Sequence, residues 1–137
     1  MKKIFVPGVA AGLAMLVVTT VLGIVLGILF PSVQAEYQNI DLFRPWSDPL
    51  MSLMFAAPVV SGLILAWIWN AVKGGIKGDN GRKKWVYFGM AYWAVTIPGM
   101  VMSWGTFDIS LLMVATWTVS NLAQALTGAW VLSKMNK

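Results

Sequence analysis

The chain has 137 residues, 58% of them hydrophobic and 11% charged, with a net charge of +5 and a mean hydropathy of +0.74. Soluble domains carry about a quarter charged residues, so this chain cannot cover its own surface with polar groups, and lipid must take their place. The absence of Cys and His excludes disulfides, thiolate chemistry, haem held by His or Cys, ordinary zinc sites and His-activated nucleophiles.

Four stretches contain no Asp, Glu, Lys or Arg: Ile4 to Phe30, Leu50 to Val72, Trp85 to Trp104, and Ile109 to Ser133. Each matches or exceeds the roughly 20 residues that cross a bilayer core. A spanning segment in lipid must be helical to satisfy its own backbone. The expected fold is therefore an all-α membrane protein of one domain. Four transmembrane helices, over about 4–30, 49–73, 84–104 and 109–133, form two antiparallel hairpins. An outer loop over about 31–48 and a basic inner loop over about 74–83 join them.

The first stretch begins after Lys2-Lys3, and Val33-Gln34-Ala35 before Glu36 is similar to a secretory cleavage site. Its apolar run far exceeds the roughly 7–15 residues of a signal core, so an uncleaved first helix is expected. Gly8, Gly12, Gly23 and Gly27 fall on one side of that helix, with Thr19 beside them. Glycines at this spacing let another backbone come close. They form a candidate packing face, expected to meet the second or fourth span within the monomer rather than a second copy.

The outer loop carries Tyr37, Asp41, Phe43, Arg44, Trp46 and Asp48. Arg44 can pair with Asp41 or Asp48, or stack on Trp46. Asp41, Arg44, Trp46 and Asp48 are thus a candidate contact site. The acidic groups match no calcium-loop spacing, and a lid on the membrane surface is the better reading. Asp48-Pro49 reads as an N-cap followed by proline at the first helical position, and Gly74-Gly75 as the end of the second span.

Pro58 and Pro98 sit in the outer halves of the second and third spans, where each frees a carbonyl and kinks its helix. With Ser61-Gly62 and Gly99 they leave room for close packing or a small cavity. The glycine-rich inner loop from Lys73 to Lys84 is not a phosphate-binding P-loop, since its lysines lack the required glycine spacing and no Ser or Thr follows. The Asp79-Asn80-Gly81 turn precedes the third span, and Gly105-Thr106 closes the second hairpin. Asp108 is expected to cap the fourth span, with Phe107 and Leu112 as its hydrophobic staple.

The fourth span carries the most polar face. Thr116, Ser120, Asn121, Gln124 and Thr127 share one arc with Gly128, opposite Val119, Leu122, Leu126 and Trp130. Amides are costly in hydrocarbon unless paired. This candidate polar seam should face the bundle or a water-filled cavity, and interhelical hydrogen bonding is favoured over a solute path. Trp46, Trp67, Trp69, Trp85, Trp104 and Trp130 fall near the expected interfaces as an aromatic belt. Trp93 and Trp117 fall nearer mid-membrane.

Of the ten Lys and Arg, only Arg44 lies on the outer side. Lys2, Lys3, Lys73, Lys77, Arg82, Lys83, Lys84, Lys134 and Lys137 lie on the other, placing both termini in the cytoplasm. The basic residues flank apolar spans and form no recognition module, so anionic headgroups rather than nucleic acid are the expected attraction.

The stretch Leu42-Phe43-Arg44-Pro45-Trp46-Ser47-Asp48-Pro49-Leu50-Met51-Ser52, with Ala91-Tyr92-Trp93 and Ile97-Pro98-Gly99-Met100, resembles uncharacterised small prokaryotic four-helix integral membrane proteins. The resemblance implies a four-helix fold and an inner-membrane location, and it carries over no functional residue.

No enzyme and no cofactor are expected. The spans hold no ionisable catalytic group, and the outer carboxylates would be solvated. A proton-coupled carrier would need an intramembrane titratable group. The expectation that remains is an accessory or structural subunit acting through helix packing in the bilayer, with itself or in a larger membrane complex. The alternative is an oligomeric facilitator or channel for a small neutral solute, lined by the polar seam.

Overall fold

The computed structural model describes residues 2–39, 41–76 and 81–136. Asp79 and Asn80 of the expected turn, together with Lys77, Gly78 and Lys137, lie outside the described residues, as do the side chains of Lys2, Arg82 and Lys83. Among the described residues every regular element is helical. These are α1 (Lys2–Leu29), α2 (Pro31–Glu36), a 3-10 turn (Pro49–Ser52), α3 (Leu53–Val72), α4 (Gly81–Thr106) and α5 (Leu111–Met135).

Three stretches are long and apolar enough to cross a membrane: Lys3–Leu29, Pro49–Val72 and Lys84–Thr106. The fourth helix, α5, has 25 residues but is not among them. Asn121 and Gln124, with the hydroxyls of Thr116, Ser120 and Thr127, run through its middle and lower its apolarity.

Prolines set two of the boundaries. The residue before a proline is pushed out of the α region. Phe30, before Pro31, leaves it at φ −127° and ψ 76°, so α1 stops and the short α2 begins. Asp48, before Pro49, is extended at φ −71° and ψ 125°, and its carboxylate accepts from Leu50 N at 2.9 Å. The expected cap is therefore present, although it opens a 3-10 turn that leads into α3. At the other end α3 stops at Val72, with Gly75 N donating to Val72 O at 2.9 Å.

Two expected boundaries are corrected. Gly105-Thr106 does not form the turn: α4 runs through Thr106, and Phe107 N still donates to Ser103 O at 3.0 Å. Asp108 does not cap the next helix either. Ser110 is the N-cap of α5, its Oγ accepting from Met113 N at 3.1 Å. The hydrophobic contact decides this register. Ile109 and Val114 are buried in one cluster, where a staple across a Ser110 cap belongs. Phe107 and Leu112 are exposed.

Two apolar clusters hold the helices. One joins Ala11 and Met15 of α1, Leu65, Ala66 and Trp69 of α3, Phe88 of α4, and Ala129 and Leu132 of α5. The other surrounds the start of α5, where Ile109, Met113 and Val114 meet Val33, with Tyr37, Phe43, Met100 and Trp117 against them. The α3 residues Leu53, Met54 and Phe55 belong to neither and are exposed. The helices thus converge at the end carrying Lys3, Lys73 and Asn136 (the termini end). Towards the end formed by residues 30–39, 41–52 and 107–110 (the loop end), the first turn of α3 is exposed.

Candidate functional site

The candidate packing face on α1 divides into two halves. Gly8 and Gly12 meet α3: a Cβ on Gly8 would stand 2.9 Å from Leu63 Cα, and one on Gly12 would stand 2.5 Å from Val59 Cα and 2.8 Å from Pro58 O. Gly62 completes the crossing from the other side. Its added Cβ would lie 2.4 Å from both Gly12 N and Gly8 O. Only glycine permits this approach, and three are needed because neither backbone can retreat from the other.

Gly23 and Gly27 do not join that crossing. Nothing lies within 4 Å of a Cβ on Gly23, and one on Gly27 would meet only Gln34, with its Oε1 at 3.0 Å. Instead they line a cavity of about 40 Å³ with Leu26, with Val33, Gln34 and Tyr37 from the loop end, and with Thr116, Trp117 and Ser120 of α5. Two of the four glycines and two of the five seam residues, separate features in the sequence, therefore share one crevice. Its volume suits one or two waters.

The rest of the seam is spread around α5. Thr116 is buried and donates to Met113 O at 2.7 Å, returning its hydroxyl proton to its own helix. Asn121 turns towards α4, its Nδ2 standing 3.7 Å from Met100 Sδ. Gln124 and Thr127 are half-buried. Among the described residues no buried side-chain nitrogen or oxygen lacks a hydrogen-bond partner. Trp93 adds a tie that sequence reasoning did not assign, donating from Nε1 to Thr118 O at 3.0 Å.

A cap formed by the loop covers the crevice. The Trp117 indole donates to the Tyr37 hydroxyl, and Phe43 closes edge-on against Trp117 with ring centroids 6.3 Å apart. Burial raises the Tyr37 pKa above its ordinary value, against the Trp117 hydrogen bond that lowers it. Glu36 Oε2 accepts from Ser110 N at 2.9 Å, fastening the end of α2 to the start of α5.

Of the candidate loop residues, Arg44 pairs with Asp48, Nη1 to Oδ2 at 2.8 Å. The Leu50 N–H and then Arg44 hold the Asp48 carboxyl below the usual carboxylate value. Asp41 and Trp46 are exposed and do not join them. Asp41 N donates to Asn39 Oδ1 at 3.0 Å. No group of three or more His, Cys, Asp or Glu placed to hold a metal occurs among the described residues.

At the termini end Asn136 is a hub that the sequence did not reveal. It is buried. Its backbone oxygen accepts from Trp69 Nε1 at 2.8 Å, its Oδ1 accepts from Lys73 Nζ at 2.7 Å, and its Nδ2 donates to Lys3 O at 3.1 Å. Trp69, read from the sequence as a belt residue, is instead a core residue packed edge-on against Phe88. Trp46, Trp67, Trp104 and Trp130 are exposed.

No protein-family model, curated protein or solved structure matches the chain.

Proposed function

We propose that this is an integral membrane protein of the inner membrane, with four transmembrane helices as two antiparallel hairpins and both termini in the cytoplasm. It acts without enzymatic chemistry, as an accessory or structural subunit that works through helix packing. The three apolar stretches support spanning directly. For α5 the support is geometric: 25 residues at 1.5 Å each reach about 37 Å, more than a bilayer core needs. Thr116 and Asn121 turn towards protein, while Leu111, Val119 and Trp130 are exposed, as lipid-facing residues should be.

The observation that carries the packing role is the Gly8–Gly12–Gly62 crossing, where α1 and α3 meet backbone to backbone. Purification of the full chain in mild detergent tests it: a second copy or a stoichiometric membrane partner is expected. A monomer without a partner, enclosing a wet central path, would contradict the role.

The second reading is a facilitator for a small neutral solute. It is favoured by one observation, the polar and glycine lining that Gly23, Gly27, Thr116 and Ser120 give the crevice. Ser120→Val, on the crevice wall, separates the two. Packing predicts at most a modest stability loss with function retained. A solute path predicts lost flux in a folded protein.

A further inference from the structure

The crevice between α1 and α5 gathers polar groups that the protein's own hydrogen bonds do not use. Gln34 reaches it from α2, which folds back beside α1 and brings its Oε1 to 3.0 Å from where a Cβ on Gly27 would stand. Ser120 lines it from α5. Among the described residues neither the Gln34 amide nor the Ser120 hydroxyl makes a hydrogen bond. Fully buried side-chain nitrogens and oxygens are all paired there, so these two groups remain within reach of a ligand. The Tyr37 hydroxyl accepts from Trp117 and gives its own proton to no described residue.

Depth makes these groups costly. At 1.5 Å per residue, Gly23 stands about 9 Å from the Leu29 end of α1, and Ser120 about 14 Å from the Leu111 end of α5. In a spanning chain both levels fall within hydrocarbon, where lipid offers no hydrogen bond and an unpaired amide or hydroxyl is expensive. Towards the termini end the crevice closes. Met15 and Ala125 are buried, and a Cβ on Gly128 would stand 2.8 Å from Met15 Sδ. The volume of about 40 Å³ exceeds the roughly 10–15 Å³ that a water requires. We propose that the crevice is a blind hydration site, where one or two waters bind Tyr37, Gln34 and Ser120 beneath the Trp117 cap. The proposal rests on the membrane-spanning reading above and gives the polar seam a ligand.

The test is thiol chemistry on the full chain in membranes, which starts from no cysteine. A thiol reacts as its thiolate, and hydrocarbon suppresses that ionisation. Ser120→Cys sets the thiol on the crevice wall, and Val119→Cys sets it one residue earlier, at an exposed position. Methyl methanethiosulfonate, which crosses lipid freely, is expected to modify position 120 roughly tenfold or more faster than position 119. Thiol left unreacted is counted with a maleimide after unfolding. Gly27→Leu, which fills the crevice against Gln34, should bring the rate at 120 down to that at 119. Gly23→Leu fills it from the next turn, where an added Cβ meets nothing within 4 Å, and serves if the first variant does not fold. Slow modification at both positions, or a rate at 120 that neither leucine lowers, would overturn the proposal. Fast modification at both would instead mean that α5 lies outside lipid, and would overturn the spanning reading beneath it.

Discussion

Gly62 of α3 lies directly against Gly12 of α1, so closely that a Cβ on Gly62 would stand 2.4 Å from the Gly12 nitrogen. Gly62→Ala must force the helices apart, because the clash is with backbone and no side chain can rotate away. The expected cost is about 1–3 kcal/mol, the range for overpacking a tight core, read as a lower melting temperature in detergent. Gly23→Ala is the matched control. Its added methyl meets nothing within 4 Å, and the gain in helix propensity is up to about 1 kcal/mol, so stability should hold or rise.

Asn136→Ala should cost about 1–3 kcal/mol, because Lys73 Nζ and the Lys3 carbonyl each lose a buried partner. The alanine keeps its backbone oxygen, so the acceptor for Trp69 remains. Deleting residues 136–137 removes that acceptor as well and should destabilise further. Thermal unfolding ranks the two, and a shift in Trp69 fluorescence should accompany the deletion alone.

The loop cap gives an alkaline signature. The Tyr37 pKa is raised in the folded chain, chiefly by burial, so folding favours the protonated phenol. Its contribution is complete below the ordinary value of 10.0 and is lost as pH rises from there through the folded value. Melting temperature should fall over that window, and Tyr37→Phe should remove this part of the fall. The same variant takes the acceptor from Trp117, costing about 1 kcal/mol at neutral pH.

Asp48 works in the opposite sense. Its folded pKa lies below the ordinary 3.8, through the Leu50 N–H first and Arg44 second. Its stabilising contribution is present above that value and fades as pH falls through the folded one. Asp48→Ala should fray the 3-10 turn, seen as faster amide exchange at Leu50, and should abolish the acid dependence there.

The sequence carries the helices well and their partners unevenly. Long charge-free runs coincide with α1, α3, α4 and α5. The glycine spacing on α1 correctly marks a face, but periodicity cannot tell where a neighbouring helix departs. Gly8 and Gly12 therefore meet α3, while Gly23 and Gly27 meet the crevice. Asp108 and Ser110 are both good caps by residue type, and only the burial of Ile109 beside Val114 chooses between them. Asn136 has no local signal at all, since its partners lie in α1 and α3, far away in the chain.

The seam on α5 shows a similar limit. A helical arc predicts that Thr116, Ser120 and Asn121 avoid lipid. It cannot predict that Thr116 and Ser120 turn to α1 while Asn121 turns to Met100 on α4.

The central claim is four crossings with both termini on one side, and α5 is the crossing that apolarity alone leaves out. The chain has no cysteine, so single-cysteine variants can be labelled without background. Ser47→Cys, Gly74→Cys and Lys134→Cys should be probed on intact cells with a membrane-impermeant maleimide. Four crossings predict that the variant at position 47 is labelled at once, and those at 74 and 134 only after the membrane is opened. Labelling of position 134 on intact cells, with 74 still protected, would mean that α5 does not cross and would contradict the account.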